Sequence, residues 1–186
     1  MSKIKVENAP FVGRIGGGLF SQTGPGTLIQ NTTDKLSLID GGQGTLSVPA
    51  NTFKVGDAFS AYMSGVLSSV NTNTLDIHIE TTNGVVLVDS DPIVMRNATN
   101  KPWRLTLNFT IWAIGVAGVA EIITSGVFEY EENAASTFQA YPIRYVNSTT
   151  FDTTVLNTLD LLAEWNIASV NNSIQSYIFN LNQIYG

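Results

Sequence analysis

The chain contains no cysteine, which excludes disulfide staples, thiolate nucleophiles and cysteine-based zinc sites. Charge is scarce as well. Asp, Glu, Lys and Arg together make up 13% of the 186 residues, against roughly 25% in an ordinary soluble chain. No run of Lys or Arg occurs and the formal net charge is −6. The basic footprint that nucleic-acid binding requires is therefore missing. The most apolar stretch, Phe109 to Ile123, is broken by Trp112, Gly115, Gly118 and Glu121 and falls short of the about 20 residues of a membrane-spanning helix. A sustained 3.6-residue apolar period is also absent, so few helices are expected. The opening residues Met1-Ser-Lys-Ile-Lys carry no apolar core of signal-peptide kind. The expectation is a protein made in a cytoplasm, without membrane insertion, that reaches any exterior by assembly or lysis.

Hydrophobic residues make up 44% of the chain, and the polar remainder is supplied mainly by Ser, Thr, Asn and Gln. Such residues suit half-solvated strands and turns better than helix faces. Residues 1–18 read as a flexible N-terminal tail ending in Gly16-Gly17-Gly18, and residues 19–186 as one domain. From Leu19 onward, short alternating runs are separated by turn residues: Gly24-Pro25-Gly26, Asp40-Gly41-Gly42, Asn71-Thr-Asn73, Asn83-Gly84 and Asn171-Asn172. Asn83-Gly84 has the composition of a two-residue hairpin with positive φ at both positions. Regular spacing of this kind points to an all-β sandwich or barrel.

Alternation assigns faces. Leu75, Ile77 and Ile79 oppose Asp76, His78 and Glu80; Trp103, Leu105, Leu107, Phe109 and Ile111 oppose Arg104, Thr106, Asn108 and Thr110. Leu159, Leu161, Ala163 and Trp165 form one further inward row, and Tyr177, Phe179 and Leu181 another. Trp112, Leu162 and Ile178 then fall on faces that should be wet, which suggests contact with another copy of the chain. Tyr185, beside the C-terminus, joins this set as an interface residue.

No constellation of catalytic residues emerges. The single histidine, His78, is expected to be an exposed strand residue between Asp76 and Glu80. Asp89-Ser90-Asp91 offers oxygen ligands for Ca²⁺ but lacks a complete calcium-loop pattern, so a solvated turn is the simpler reading. Glu129, Glu131 and Glu132 suggest a charged strand edge that resists stray pairing rather than a glycosidase pair. Gly13-Arg-Ile-Gly-Gly-Gly and Gly115-Val-Ala-Gly118 have neither the flanking units nor the lysine of nucleotide-binding loops. Tyr141 and Tyr145 have the chemistry to stack on sugars, although packing explains either one equally well. No cofactor, no metal and no enzymatic activity are expected.

Several phrases follow one another in a suggestive order: Leu19-Phe-Ser-Gln-Thr, Leu46-Ser-Val-Pro-Ala-Asn-Thr-Phe-Lys-Val-Gly-Asp57, Trp103-Arg-Leu-Thr-Leu-Asn-Phe-Thr-Ile, Gly118-Val-Ala-Glu-Ile-Ile-Thr-Ser-Gly, Phe151-Asp-Thr-Thr and Leu159-Asp-Leu-Leu-Ala-Glu-Trp165. From Leu19 to Tyr185 the chain resembles viral and phage-borne jelly-roll proteins, similar in strand plan to tumour-necrosis-factor-like and fibre-head domains. The resemblance implies an antiparallel jelly-roll β-sandwich, assembled as a homotrimer on a virion. It implies either a module that binds a host receptor or glycan, or a structural minor capsid or cement protein that binds other viral proteins. It brings no catalytic residues and no receptor identity.

Overall fold

The computed structural model of the protein describes residues 17–134 and 137–185. Residues 1–16, most of the expected tail, lie outside the described residues. Every regular element among the described residues is a β-strand, and every pairing is antiparallel. One sheet has eight strands. Its edge-to-edge order is β12 (Phe138–Asp152), β11 (Val119–Glu131), β10 (Ala98–Ile114), β6 (Ala58–Ser69), β14 (Ser173–Tyr185), β1 (Gly18–Gln22) and β4 (Gly42–Gly44), with the short β2 (Ile29–Gln30) also on β14. The second has six: β3 (Leu36–Ser37), β13 (Asn157–Trp165), β7 (Thr74–Thr81) and β8 (Val86–Asp89), with β5 (Ser47–Val48) on β13 and β9 (Ile93–Val94) on β7.

The framework is β1-β14-β6-β10 facing β3-β13-β7-β8, with the chain passing between the sheets as it proceeds. That interleaving is the double Greek key of a jelly roll. The β11–β12 hairpin is inserted after β10 and widens the first sheet beyond the second.

The core lies between the sheets. Of the inward rows read from alternation, Leu105, Leu107, Phe109, Leu161, Trp165 and Phe179 are buried, and Leu159 is partly buried. Burying aromatic and branched side chains on two facing sheets supplies the main drive to fold. Trp103 fits because its indole N–H finds two acceptors, Val66 O at 3.1 Å and Gln175 O at 3.2 Å.

Four expectations need correcting. The alternation in β14 is interrupted by a bulge between Ser176 and Ile178. Ser176 is buried and donates to Leu38 O at 2.6 Å, while Tyr177 and Ile178 both face outward. Tyr177 therefore does not share the inward row of Phe179 and Leu181, because a bulge shifts side-chain facing by one residue. Gly65 sits opposite: a Cβ there would meet Gln175 O at 1.9 Å. Second, Gly84 alone has positive φ (79°), and the turn closes as a three-residue loop through Thr81 N donating to Val85 O. Third, Glu129 and Glu131 lie on an interior strand, paired with Arg104 and Lys101 of β10, so they guard no edge. Finally, the last two glycines of the expected tail belong to the sheet. Gly18 pairs with Asn182, and Gln183 N donates to Gly17 O at 3.1 Å.

Candidate functional site

Because the first sheet is wider than the second, the inner face of β12 is not covered by a full opposing layer. Beside it the chain passes from β8 to β9 and on to β10, and an open cleft of about 450 Å³ remains between them. Asn71, Ser90, Arg96, Gln139 and Tyr141 supply its polar groups, with Val94 and Pro142 among the apolar ones. The described residues lining it include no carboxylate and no histidine.

Two tyrosine hydroxyls fix the wall that carries Arg96. Tyr141 OH donates to Val94 O at 3.1 Å, and Arg96 N donates to Tyr130 OH at 2.7 Å. The two rings stack with centroids 6.2 Å apart and planes within 5°. Burial pushes the Tyr130 phenol well above its ordinary range, outweighing the opposing Arg96 hydrogen bond, so it stays a neutral hydroxyl. The Arg96 guanidinium is exposed and forms no ion pair among the described residues. The turn below is held by asparagine: Asn71 N donates to Asn97 Oδ1 at 2.8 Å, and Thr72 N to Met95 O at 3.0 Å. On the other side, Ser90 Oγ accepts from Ile77 N and donates to Asp91 O, each at 2.9 Å. A pre-shaped cleft with amide, hydroxyl and guanidinium donors beside a tyrosine suits a hydroxyl-rich ligand.

Tyr141, singled out from sequence, lies in this cleft. Tyr145, four residues further along β12 on the same face, is partly buried and packs against the core. Arg96 and Gln139 were not foreseen, and Asn71 and Ser90 were read only as parts of turns. They come from four segments that only the sheet topology brings together, and no local spacing marks them.

Asp89 and Asp91 form a turn in which Asp91 N donates to Asp89 Oδ1 at 3.3 Å. No group of three or more metal-ligating side chains occurs among the described residues. His78 is less exposed than alternation suggested, with 13% of its side chain accessible. Asp89 on β8 approaches its Nδ1, and Glu164 on β13 its Nε2, both at 3.8 Å. Burial raises the Asp76 carboxyl above its ordinary value. The nearby His78 opposes this, and Asp89, Glu164 and Asp91 add to it.

The proposed interface residues divide between sheets. Trp112 and Ile178, both at strand bulges, are exposed on the outer face of the first sheet, and Tyr185 stands at its end. Leu162 lies on β13 of the second sheet, opposite Ser37 and His78. The four do not form one patch.

Fold and cleft together describe an antiparallel jelly-roll sandwich with an open polar cleft at one side. No protein-family model matches the chain, and no curated protein sequence matches it. Among solved structures it is loosely similar to arcelin-5, a lectin-like defence protein from Phaseolus vulgaris, at 4% identity and a TM-score of 0.39, over 75% of this chain and 76% of that one. A second is the CBM2 module of the evolved Dit of Lactobacillus casei BL23 phage J-1, at 9% identity and a TM-score of 0.33, over 92% of this chain and 97% of that one.

Proposed function

We propose that the chain is a non-enzymatic binding module of a virion surface that recognises a host glycan or a glycan-bearing receptor through the β9–β12 cleft. The observation that carries this reading is the Arg96 guanidinium, held beside Tyr141, Gln139 and Asn71 with no intramolecular ion-pair partner among the described residues. Glycoside hydrolysis needs two carboxyl groups about 5–9.5 Å apart across the sugar, and the described residues that line this cleft include none. The test is binding of the purified protein to a glycan array and to cells, with Arg96→Ala alongside. Saturable binding that Arg96→Ala weakens at least tenfold is expected. Wild-type protein that binds neither contradicts the reading.

In the same proposal the module is a homotrimer, packed through the outer face of the first sheet. Tyr62, Tyr177 and Ile178 are exposed there, among small residues such as Ser60, Ser64 and Ala140. Exposed aromatic and apolar side chains beside the Arg104–Glu129 and Lys101–Glu131 pairs suit a contact between copies. Light scattering at low micromolar concentration should give three times the 20.1 kDa chain mass, and Ile178→Asp should lower it. A wild-type mass of one chain ends the trimer.

A further inference from the structure

At the far end of the sandwich from the Asn71 turn, the sheets do not close on each other. Between them lies a cavity of about 290 Å³. Its interior wall is mostly apolar, Phe59, Leu87, Phe109, Ile122, Phe151 and Leu181, with the buried Asp57, Thr81 and Asn157 among them. Its mouth runs under the strap from β4 to β5. There Thr45 N donates to Leu19 O at 2.7 Å on one sheet, and Ser47 and Val48 pair with β13 on the other. Leu46 and Phe53 roof it, and Thr45, Ser47, Thr52 and Gln183 place polar groups at the rim.

We infer that this cavity is a binding site for one small uncharged apolar molecule, a medium-length alkyl chain or a pair of fused aromatic rings bearing a hydroxyl. Protein interiors are packed to near-crystalline density, and an unfilled apolar space forfeits dispersion contacts on every wall. Apolar cavities of about 150 Å³ stay dry and take up benzene, and the volume here is about twice that. Such a space takes an apolar body of about ten carbon atoms, with its polar end among the rim hydroxyls. Negative charge on the ligand is disfavoured at two levels. Asp57, 2% exposed and fixed by Lys54 N at 2.8 Å, sets a carboxyl group in the wall. The chain as a whole carries −6, so a carboxylate head group meets like charge.

The experiment uses the full chain with labelled leucine methyls, titrated with n-decanol and separately with decanoate. Decanol should shift the methyls of Leu46, Leu87 and Leu159 saturably and leave the surface residues Leu28 and Leu36 unmoved. Decanoate should bind at least tenfold more weakly at neutral pH. Leu87→Phe fills the space and should weaken decanol at least tenfold. Leu46→Phe, at the partly buried roof, is the second variant should the first not fold. The inference is overturned by decanol shifts that are absent or confined to the surface, by undiminished binding to a folded filled variant, or by equal binding of decanoate. Contacts from the cavity leucines to Phe11 or Ile15 in ligand-free protein also overturn it, because the chain's own first residues would then fill the space.

Discussion

The two ends of the sandwich are held together differently. At the end that carries the Asn71 turn, asparagine side chains bond across loops far apart in sequence. Asn172 Oδ1 accepts from Val70 N at 3.1 Å and from Asn73 Nδ2 at 3.2 Å, Asn166 Oδ1 accepts from Thr74 N at 2.8 Å, and Asn133 Oδ1 accepts from Thr99 N at 3.1 Å. At the other end asparagine makes fewer such bonds, Asn83 Nδ2 to Leu156 O at 3.1 Å and Asn147 Nδ2 to Val86 O at 2.9 Å, and the rest stay local. Asp152 accepts from Thr154, and Asn157 Nδ2 donates to Asp152 O and Val155 O. Val55, Trp112, Val116, Leu156 and Tyr185, in the loops and strand ends on that side, are exposed. Directional bonds between loops fix geometry, whereas apolar contacts tolerate rearrangement. A recognition cleft needs the first kind of support and lies beside it. A site that admits an apolar guest, or a face that meets another protein, suits the second.

The largest expected effect comes from the core beneath each end. Trp165, paired with Leu75 near Asn166, lies under the asparagine-tied loops, and Phe109 lines the cavity. Either residue changed to Ala should cost about 3–5 kcal/mol in urea unfolding. Trp165→Ala should be the costlier, because its tied surroundings collapse less. The reverse order would break the comparison.

Asn172→Ala should cost about 1–3 kcal/mol, since a buried donor and acceptor set is left unpaired. It should also speed amide exchange at Val70, a loop distant in sequence. Asn157→Ala should loosen only residues 152–157. Similar exchange patterns for the two variants would show that the ends do not differ in this way.

Asp76 lies on the outer face of the second sheet, outside the loops of both ends, and gives a smaller, pH-dependent effect. Its folded-state pKa is raised above the ordinary 3.8, chiefly by burial. The carboxyl group is protonated in both folded and unfolded states well below 3.8, so it contributes no difference there. As pH rises through the raised value, the folded state must carry a disfavoured charge and stability falls. Asp76→Asn should therefore match the wild type near pH 3 and exceed it at pH 7, by no more than about 0.5 kcal/mol given solvent screening. A variant less stable than wild type at pH 7 would mean that Asp76 attracts His78 more than burial penalises it. Smallest of all, Trp112→Ser should leave stability within about 0.5 kcal/mol, because the side chain is 60% exposed.

Period-2 patterning made most of this architecture legible. The ranges of β11 and β14 follow from alternation between turn residues, and the inward rows named from it are buried except for the partly buried Leu159 and the exposed Tyr177. Bulges were not legible. A bulge adds a residue without changing hydrophobic composition, so Tyr177 looked inward and is outward. The two-residue strand β9 was too short to show a period. The cleft was legible only at Tyr141, because its other polar groups converge through pairings among β7, β9, β10, β11 and β12 that leave no trace in local spacing. The widened sheet that creates it follows from where the β11–β12 hairpin attaches, a long-range fact.

The central claim is that recognition belongs to the cleft beside the asparagine-tied loops and not to the apolar end. The direct measurement is binding of three proteins to the same glycan surface: wild type, Arg96→Ala with Gln139→Ala, and Trp112→Ser. The double variant removes two polar groups that line the cleft, and the single one alters an exposed residue at the opposite end. The account predicts that the double variant loses at least tenfold in affinity while Trp112→Ser binds as wild type does. Undiminished binding by the double variant, with loss in Trp112→Ser, would contradict it and move recognition to the other end of the molecule.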